Sequence, residues 1–410
     1  MTTSPTRAAL ALTFALTTFA PRSARACGGC FAPPDTVTVV TDHRMVLALS
    51  AEETVLWDQI RYAGAPEDFS WVLPIRYSPD VRVEVASNEF MQLVDAAAAP
   101  ALSIPQCGPV VEYSRRRRRD MEAVAVYRED SVGPYALTVL GGSDPMAIRR
   151  WLSENHYVIP SAIEPVIDGY VAQGMDFVAL RLRPGVGVSQ MTPVRLVMPA
   201  YVPMLPLRMI AAGTADTVGL TLTVFAPSRV EARNFPNGEL DPLGFSWDWN
   251  HPTDPARDFL AAFEARNRAA GGRLWLTESA QRVAESYWYA GAAYFDRGTC
   301  ATPATDDLRL ALRLAGRDAV VTRLRASLPR AALDRDLLLD ARDTVEVYPQ
   351  YAYGTITPSE PDVTLCERAL ASVDAGTAPR ALVPPSCPDD AAVGDAQDAS
   401  TRDAASDAAS

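Results

Sequence analysis

Val218-Gly219-Leu220-Thr221-Leu222-Thr223-Val224-Phe225-Ala226 decides how this chain is read. Val218, Leu220, Leu222 and Val224 alternate with small or polar residues, and a period of two places them on one face of a β-strand. The character of the chain changes directly after this stretch. Upstream, β-branched and alternating runs predict strands at Thr36–Val40, Met45–Leu49, Val55–Tyr62, Phe69–Ile75, Val81–Val85, Glu122–Tyr127, Tyr135–Leu140, Asp176–Leu182 and Val194–Met198. Short helices are expected at Ser87–Ala98 and Ser161–Gln173. Asp144 followed by Pro145 predicts an N-cap and a first-turn proline, opening a further helix to about Asn155.

Downstream, Asn234–Asp254 reads as a loop rich in Pro, Gly, Asn, Asp and aromatic residues. Helices are then expected at Pro255–Ala270, Ser279–Phe295 and Asp306–Ala315. Ala319–Leu339 reads as short helices and Thr344–Tyr348 as a strand. The expected fold class is α+β: a strand-rich antiparallel N-terminal region with inserted short helices, followed by a mainly helical C-terminal region. The expected boundaries are 27–226 for the strand-rich domain and 227–350 for the helix-rich region packed on it. An irregular segment with cysteines follows at 351–387, and an Asp/Ala/Ser tail at 388–410 has too little apolar content to fold.

Residues 1–26 read as a cleavable signal peptide. Arg7 precedes the apolar run Ala8–Ala20, and Ala24-Arg25-Ala26 supplies the small residues that a signal peptidase accepts. The apolar run is shorter than the roughly 20 residues a membrane-spanning helix needs. The mature chain is expected to begin at Cys27. A lipoprotein reading, with Cys27 acylated, competes; Ala24 stands where lipoprotein signals carry Leu. The expected destination is periplasmic, cell-surface or extracellular, with no transmembrane segment in the mature chain.

Composition narrows the chemistry. The 48% apolar content is ample for a core. The formal net charge of −12 opposes binding to nucleic acid or anionic membranes. Every basic residue is Arg. Without Lys there is no P-loop lysine, Schiff base or Ser-x-x-Lys nucleophile. The six cysteines, Cys27, Cys30, Cys107, Cys300, Cys366 and Cys387, read as up to three disulfides in an exported protein. Order along the chain suggests Cys300 with Cys366, and Cys107 with Cys27 or Cys30.

Several phrases occur in a telling order: Ala26-Cys27-Gly28-Gly29-Cys30-Phe31, Pro66–Ile75, Trp151–Tyr157, Gly174–Leu180, Val321-Thr322-Arg323-Leu324-Arg325 and Asp336-Leu337-Leu338-Leu339. Together they resemble an exported bacterial family of unknown function, DUF2330, over roughly Cys27 to Asp340. The resemblance implies export and the extent of the domain. It supplies no activity, cofactor or catalytic residue.

No motif points to catalysis. Cys27-Gly28-Gly29-Cys30 has redox spacing but no helix after it to lower a thiol pKa. His43, His156 and His251 lack metal-ligand partners at helical spacing. Gly185-Val186-Gly187 lacks the third glycine of a nucleotide loop. Asn237, Glu239, Asp241, Asp248, Asn250 and Asp254 offer hard oxygens of the kind that hold calcium, without the glycine and spacing of an EF-hand; solvated turns are the favoured reading. Phe235, Phe245, Trp247 and Trp249 read as packing residues rather than a sugar-stacking surface. Tyr287, Trp288, Tyr289, Tyr294 and Phe295 read as helix core, with Val283, Tyr287, Ala290 and Tyr294 on one face. Arg115–Arg119 reads as a solvated loop, with binding to anionic glycan or lipid headgroups as the alternative. No catalytic, cofactor or metal residue is assigned. The expected function is a non-enzymatic binding or structural protein of the envelope or exterior, with envelope glycan or protein as partner. The alternative is an extracytoplasmic hydrolase with an unrecognised site.

Overall fold

The computed structural model describes residues 30–31, 39–63, 70–76, 80–106, 133–155, 157, 159–183, 191–211, 216–297, 301–343 and 345–374. In chain order these form strands β1 (Cys30–Phe31), β2 (Val39–Leu49), β3 (Thr54–Ala63), β4 (Ser70–Ile75) and β5 (Arg82–Val85), then α1 (Asn88–Ala98) and β6 (Ala101–Ser103). Next come β7 (Tyr135–Leu140), α2 (Pro145–Glu154), α3 (Glu164–Ala172), β8 (Asp176–Leu182), β9 (Val194–Met198), β10 (Met204–Leu205), α4 (Leu207–Ile210) and β11 (Thr217–Ala226). The rest runs β12 (Val230–Ala232), β13 (Asn237–Gly238), β14 (Phe245–Asp248), α5 (Pro255–Ala269), β15 (Trp275–Arg282), α6 (Glu285–Asp296), α7 (Pro303–Ala315), β16 (Val320–Pro329), β17 (Leu337–Ala341), β18 (Gln350–Thr357) and α8 (Val363–Asp374).

Among the described residues the central element is an eight-stranded sheet ordered β13-β15-β16-β11-β2-β3-β9-β5. It is mixed: β11 pairs with β2 in parallel, Leu220 opposite His43 through Phe225 opposite Ala48, and antiparallel with β16 on its other side. An antiparallel four-stranded sheet, β1-β4-β8-β7, lies over one face. Two three-stranded sheets, β10-β17-β12 and the all-parallel β14-β18-β6, complete the set.

Strand alternation builds the layers. Met45, Leu47, Leu56, Leu220, Leu222, Val224, Leu324 and Leu328 meet Trp71, Leu73, Val178 and Leu180 of the four-stranded sheet. Their neighbours on the opposite face, Val46, Ala48, Trp57, Phe225 and Val321, pack under Phe90 and Leu93 of α1, Trp288 and Ala292 of α6, and Leu308 and Ala311 of α7. The outer face of the four-stranded sheet, Val72, Phe177 and Ala179, carries Leu152 of α2 and Ile167 and Tyr170 of α3. The order is therefore helices, sheet, sheet, helices. Each buried Leu or Phe contributes roughly 1.5–3 kcal/mol relative to exposure, so these interleaved faces dominate the stabilisation.

Local signals fix the helix ends. Asp144 accepts a hydrogen bond from the Met146 amide at 2.9 Å, with Pro145 in the first turn of α2. Ser87 caps α1 by accepting from the Phe90 amide at 3.0 Å. Gly174, just past α3, has φ +69°, a left-handed conformation that glycine adopts without strain.

The expectation of an antiparallel strand-rich half followed by a mainly helical C-terminal half is overturned. Strands β15 and β16 lie in the central sheet, joined to β11, and α5, α6 and α7 alternate with strands. The stretch Ser279–Phe295, expected as one helix, is the end of β15 followed by α6. Ala319–Leu339, expected as short helices, is β16, a single 3-10 turn at Arg330–Ala332, and β17. The physical reason is visible in β16. Val320, Thr322, Leu324, Ala326 and Leu328 do alternate, but Arg323 and Arg325 between them gave the segment the look of a helix with a charged face.

Candidate functional site

A largely buried polar cluster lies on the helix-bearing face of the central sheet. It sits where the core under α1, α6 and α7 meets the aromatic core of α5, α8, β14 and β18. Register places its residues. Arg44 on β2, Thr221 on β11 and Arg325 on β16 are direct cross-strand neighbours, and Gln59 on β3 faces Arg44. Arg323 stands one pleat further along β16. The pairing of β15 with β16 shifts between Thr277 and Ser279. Such a bulge re-aims a side chain, and here it turns Glu278 toward both arginines.

Glu278, fully buried, accepts from Arg323 Nε at 2.7 Å through Oε2 and from Arg325 Nε through Oε1. Arg323 Nη1 donates to Asp95 Oδ1 of α1 at 2.7 Å, and Arg44 donates to Asp95 Oδ2. Arg44 also donates to the Gln59 side-chain oxygen, and Gln59 donates on to Asn88 at 2.7 Å. One continuous chain thus links β15, β16, α1, β2 and β3. Side-chain exposure is 0% at Glu278, 6% at Arg323 and 12% at Arg44, and reaches 30% at Asp95 and 31% at Arg325. The network is rooted in the core and opens to solvent.

Electrostatics follow from this geometry. Burial works against the Asp95 carboxylate, but the Arg323 and Arg44 guanidiniums overcome it and hold its pKa below the usual carboxylate range. Burial likewise works against the Arg323 charge, and Glu278 and Asp95 outweigh it, raising the pKa further. Three guanidiniums meet two carboxylates here.

Two further buried carboxylates act as ties. Asp307 on α7 accepts from Trp57 Nε1 at 2.8 Å, Arg195 Nη1 at 2.5 Å and Ser87 Oγ at 3.2 Å. Asp336 accepts from the Tyr170 hydroxyl at 2.5 Å and from Arg208 Nη2 at 2.7 Å, with the Arg208 guanidinium 4.2 Å from the Tyr170 ring centre. Burial, then the Asp336 charge, push the Tyr170 phenol well up. On the opposite face of the central sheet, His43 Nδ1 lies 3.1 Å from Asp58 Oδ1, both side chains buried.

The residues singled out from the sequence are scattered. His251 is exposed, 2.9 Å from Asp248. Cys366 on α8 is buried, and Cys30 opens β1. His156, Cys27, Cys107, Cys300, Cys387, Gly185–Gly187 and Arg115–Arg119 lie outside the described residues. The oxygens considered for calcium are engaged locally. Asn237 bonds the backbone of Ala232, Asp241 the Leu243 amide, Asp248 the Asn250 amide, and Asp254 caps α5; Glu239 accepts from Arg229. Among the described residues no group of three or more His, Cys, Asp or Glu could hold a metal.

Phe235, Phe245, Trp247 and Trp249 are buried. In α6 the buried face is Trp288 and Ala292, not the expected Val283–Tyr287–Ala290–Tyr294 face, and Tyr287 is exposed. Sequence reasoning missed Arg44, Asp95, Glu278, Asp307 and Asp336. Arg323 and Arg325 two residues apart in an apolar, β-branched run were the available signal.

A family model described as "Uncharacterized protein conserved in bacteria (DUF2330)" matches residues 21–332. No curated protein matches the chain. Among solved structures, the crystal structure of baculovirus P35 aligns at 13% identity over 49% of this chain and 67% of that one, with a TM-score of 0.30. A likeness at that level carries no argument.

Proposed function

We propose a role for this chain from the premise that it belongs to the bacterial family DUF2330: an exported cell-envelope or secreted protein with a non-enzymatic binding or structural function. The observation that carries the second half is how four buried or half-buried carboxylates are used. Glu278, Asp95, Asp307 and Asp336 are each held by guanidinium, indole or hydroxyl donors. A carboxylate spent on such bonds is poorly placed to take a proton from a substrate.

Export is supported by the order of charge, apolar run and small-residue exit in residues 1–26. Cys366, buried and disulfide-bonded, supports an oxidising compartment. The pairing of Cys300 with Cys366, and of Cys107 with Cys27 or Cys30, belongs to the same proposal. No helix among the described residues is long and apolar enough to cross a membrane.

Intact mass of the protein recovered from the producing cells, with and without reductant, tests this reading. The expected mass begins at Cys27 and rises on reduction by the hydrogens of three disulfides. A product that retains residues 1–26 overturns export, and an acyl adduct on Cys27 replaces it with a lipoprotein.

The buried His43–Asp58 pair favours a second reading, an extracytoplasmic hydrolase, because a carboxylate that orients an imidazole is a recurring hydrolase arrangement. Turnover of ester, peptide, glycoside or phosphoester substrates that His43→Ala abolishes in folded protein would replace the first reading with this one.

A further inference from the structure

The network on the helix-bearing face is unevenly balanced. Arg323 is shared between two carboxylates, and Arg44 between Asp95 and the Gln59 amide oxygen. Among the described residues Arg325 has one acidic partner, Glu278, and meets it through Nε alone. Both of its Nη groups lack an acceptor among the described residues. Arg44 Nε is buried and has no hydrogen-bond partner among the described residues. The excess of one guanidinium runs against the net charge of the chain, which is −12. A guanidinium presents its donors as a planar fork whose spacing matches the two oxygens of a carboxylate or phosphate. Here the Nε edge is fixed on Glu278, so the fork is oriented before any ligand arrives. Holding it in place in advance removes part of the ordering cost of binding.

We propose that the outer edge of Arg325, backed by Arg323 and Arg44, receives the oxyanion of a small ligand or of a partner, a carboxylate or a phosphate. The three guanidiniums supply the attraction. The Thr221 side chain, in register between Arg44 and Arg325, lies on the sheet floor beside the fork. Glu278, fully buried, holds the Arg325 guanidinium by its Nε edge. The ligand class deepens the binding half of the function proposed above. It does not depend on export, so mass analysis can fail while this site stands, and the reverse.

The test is the melting temperature of the full exported protein titrated with inorganic phosphate and, separately, acetate, against chloride at equal ionic strength. Equal ionic strength removes the general screening of surface charge. The wild type should gain about 2–4 °C at saturating anion over chloride, as expected for a weak site in a chain of this size. The larger of the phosphate and acetate responses identifies the oxyanion. Arg325→Gln should lose the gain. Arg325→Lys keeps a charge facing Glu278 but has no fork, and should keep the fold while losing most of the gain; it serves if the Gln variant does not fold. Exclusion of phosphate from protein surfaces stabilises proteins in general. An equal gain in wild type and Arg325→Lys is therefore that general effect and overturns the site, as does the absence of any gain over chloride.

Discussion

The two faces of the central sheet are covered in opposite ways. One face meets a second sheet through a continuous layer of Leu, Val and Met, interrupted by the His43–Asp58 pair. The other meets helices and carries a line of three arginines and two carboxylates. The difference shows where charge is tolerated. Sheet on sheet leaves no gap between elements, because both surfaces are continuous pleats. Helices cover a sheet in separate pieces, and the join between two such pieces is where the ion network stands. Burying these charges is expensive, and mutual pairing offsets the expense.

The comparison breaks most visibly at Glu278. Glu278→Ala takes one of its two carboxylates from Arg323, which is 5% exposed overall, and takes from Arg325 the acidic partner it meets, and should cost about 3–5 kcal/mol in urea unfolding. Replacing Glu278, Arg323 and Arg325 together with apolar residues of similar volume should cost less than that single change. If the triple variant is the less stable, the charges contribute more than the packing they displace. On the dry face, Leu222→Ala removes a fully buried side chain and should cost about 2–5 kcal/mol, from cavity formation alone and without salt dependence.

A smaller effect is expected where α1 crosses α6. A Cβ on Gly291 would lie 2.7 Å from a Leu93 methyl group. That methyl is the end of a flexible side chain, so Gly291→Ala should cost about 1–3 kcal/mol and loosen the helices without disturbing the sheet. The smallest signal is in acid. The folded pKa of Asp95 is depressed, so its contribution is fully present above the unfolded value near 3.8 and is lost as pH falls through the lower folded value. Wild-type stability should therefore fall more steeply than that of Asp95→Asn below pH of about 4. Parallel acid-unfolding curves for the two proteins would remove Asp95 from the network's electrostatics.

The strands whose two faces differ in polarity were legible in sequence. Thr217–Ala226 alternates cleanly, and Asp144-Pro145 marked the start of α2 to the residue. Strand β16 was not legible, because its second face is buried against charge rather than against solvent or oil. A period of two with Arg323 and Arg325 on it resembles an exposed strand or a helix edge until Glu278 and Asp95 are placed opposite. Glu278 itself carries no mark in the sequence, since a bulge aims it. The parallel pairing of β2 with β11 was equally hidden, because periodicity assigns faces to a strand and says nothing about its neighbour. Family resemblance along the chain was legible from phrases such as Val321–Arg325, and the chain does belong to that family.

The pairing of β2 with β11 also sets an order of events. Their partners are 177 positions apart in the chain, Leu220 opposite His43 and Phe225 opposite Ala48. A chain that emerges N-terminus first therefore presents β2 and β3 as an isolated hairpin, which is marginally stable in water. The central sheet closes only after β11 and β16 have arrived. Contacts this distant in sequence make folding slow, so a long stretch of nascent chain stays pliable while the remainder is delivered. The helices that seal the second face precede β16 in the chain, α1 before β11 and α6 and α7 after it, so the arginines of β16 are the last members of the ion network to arrive.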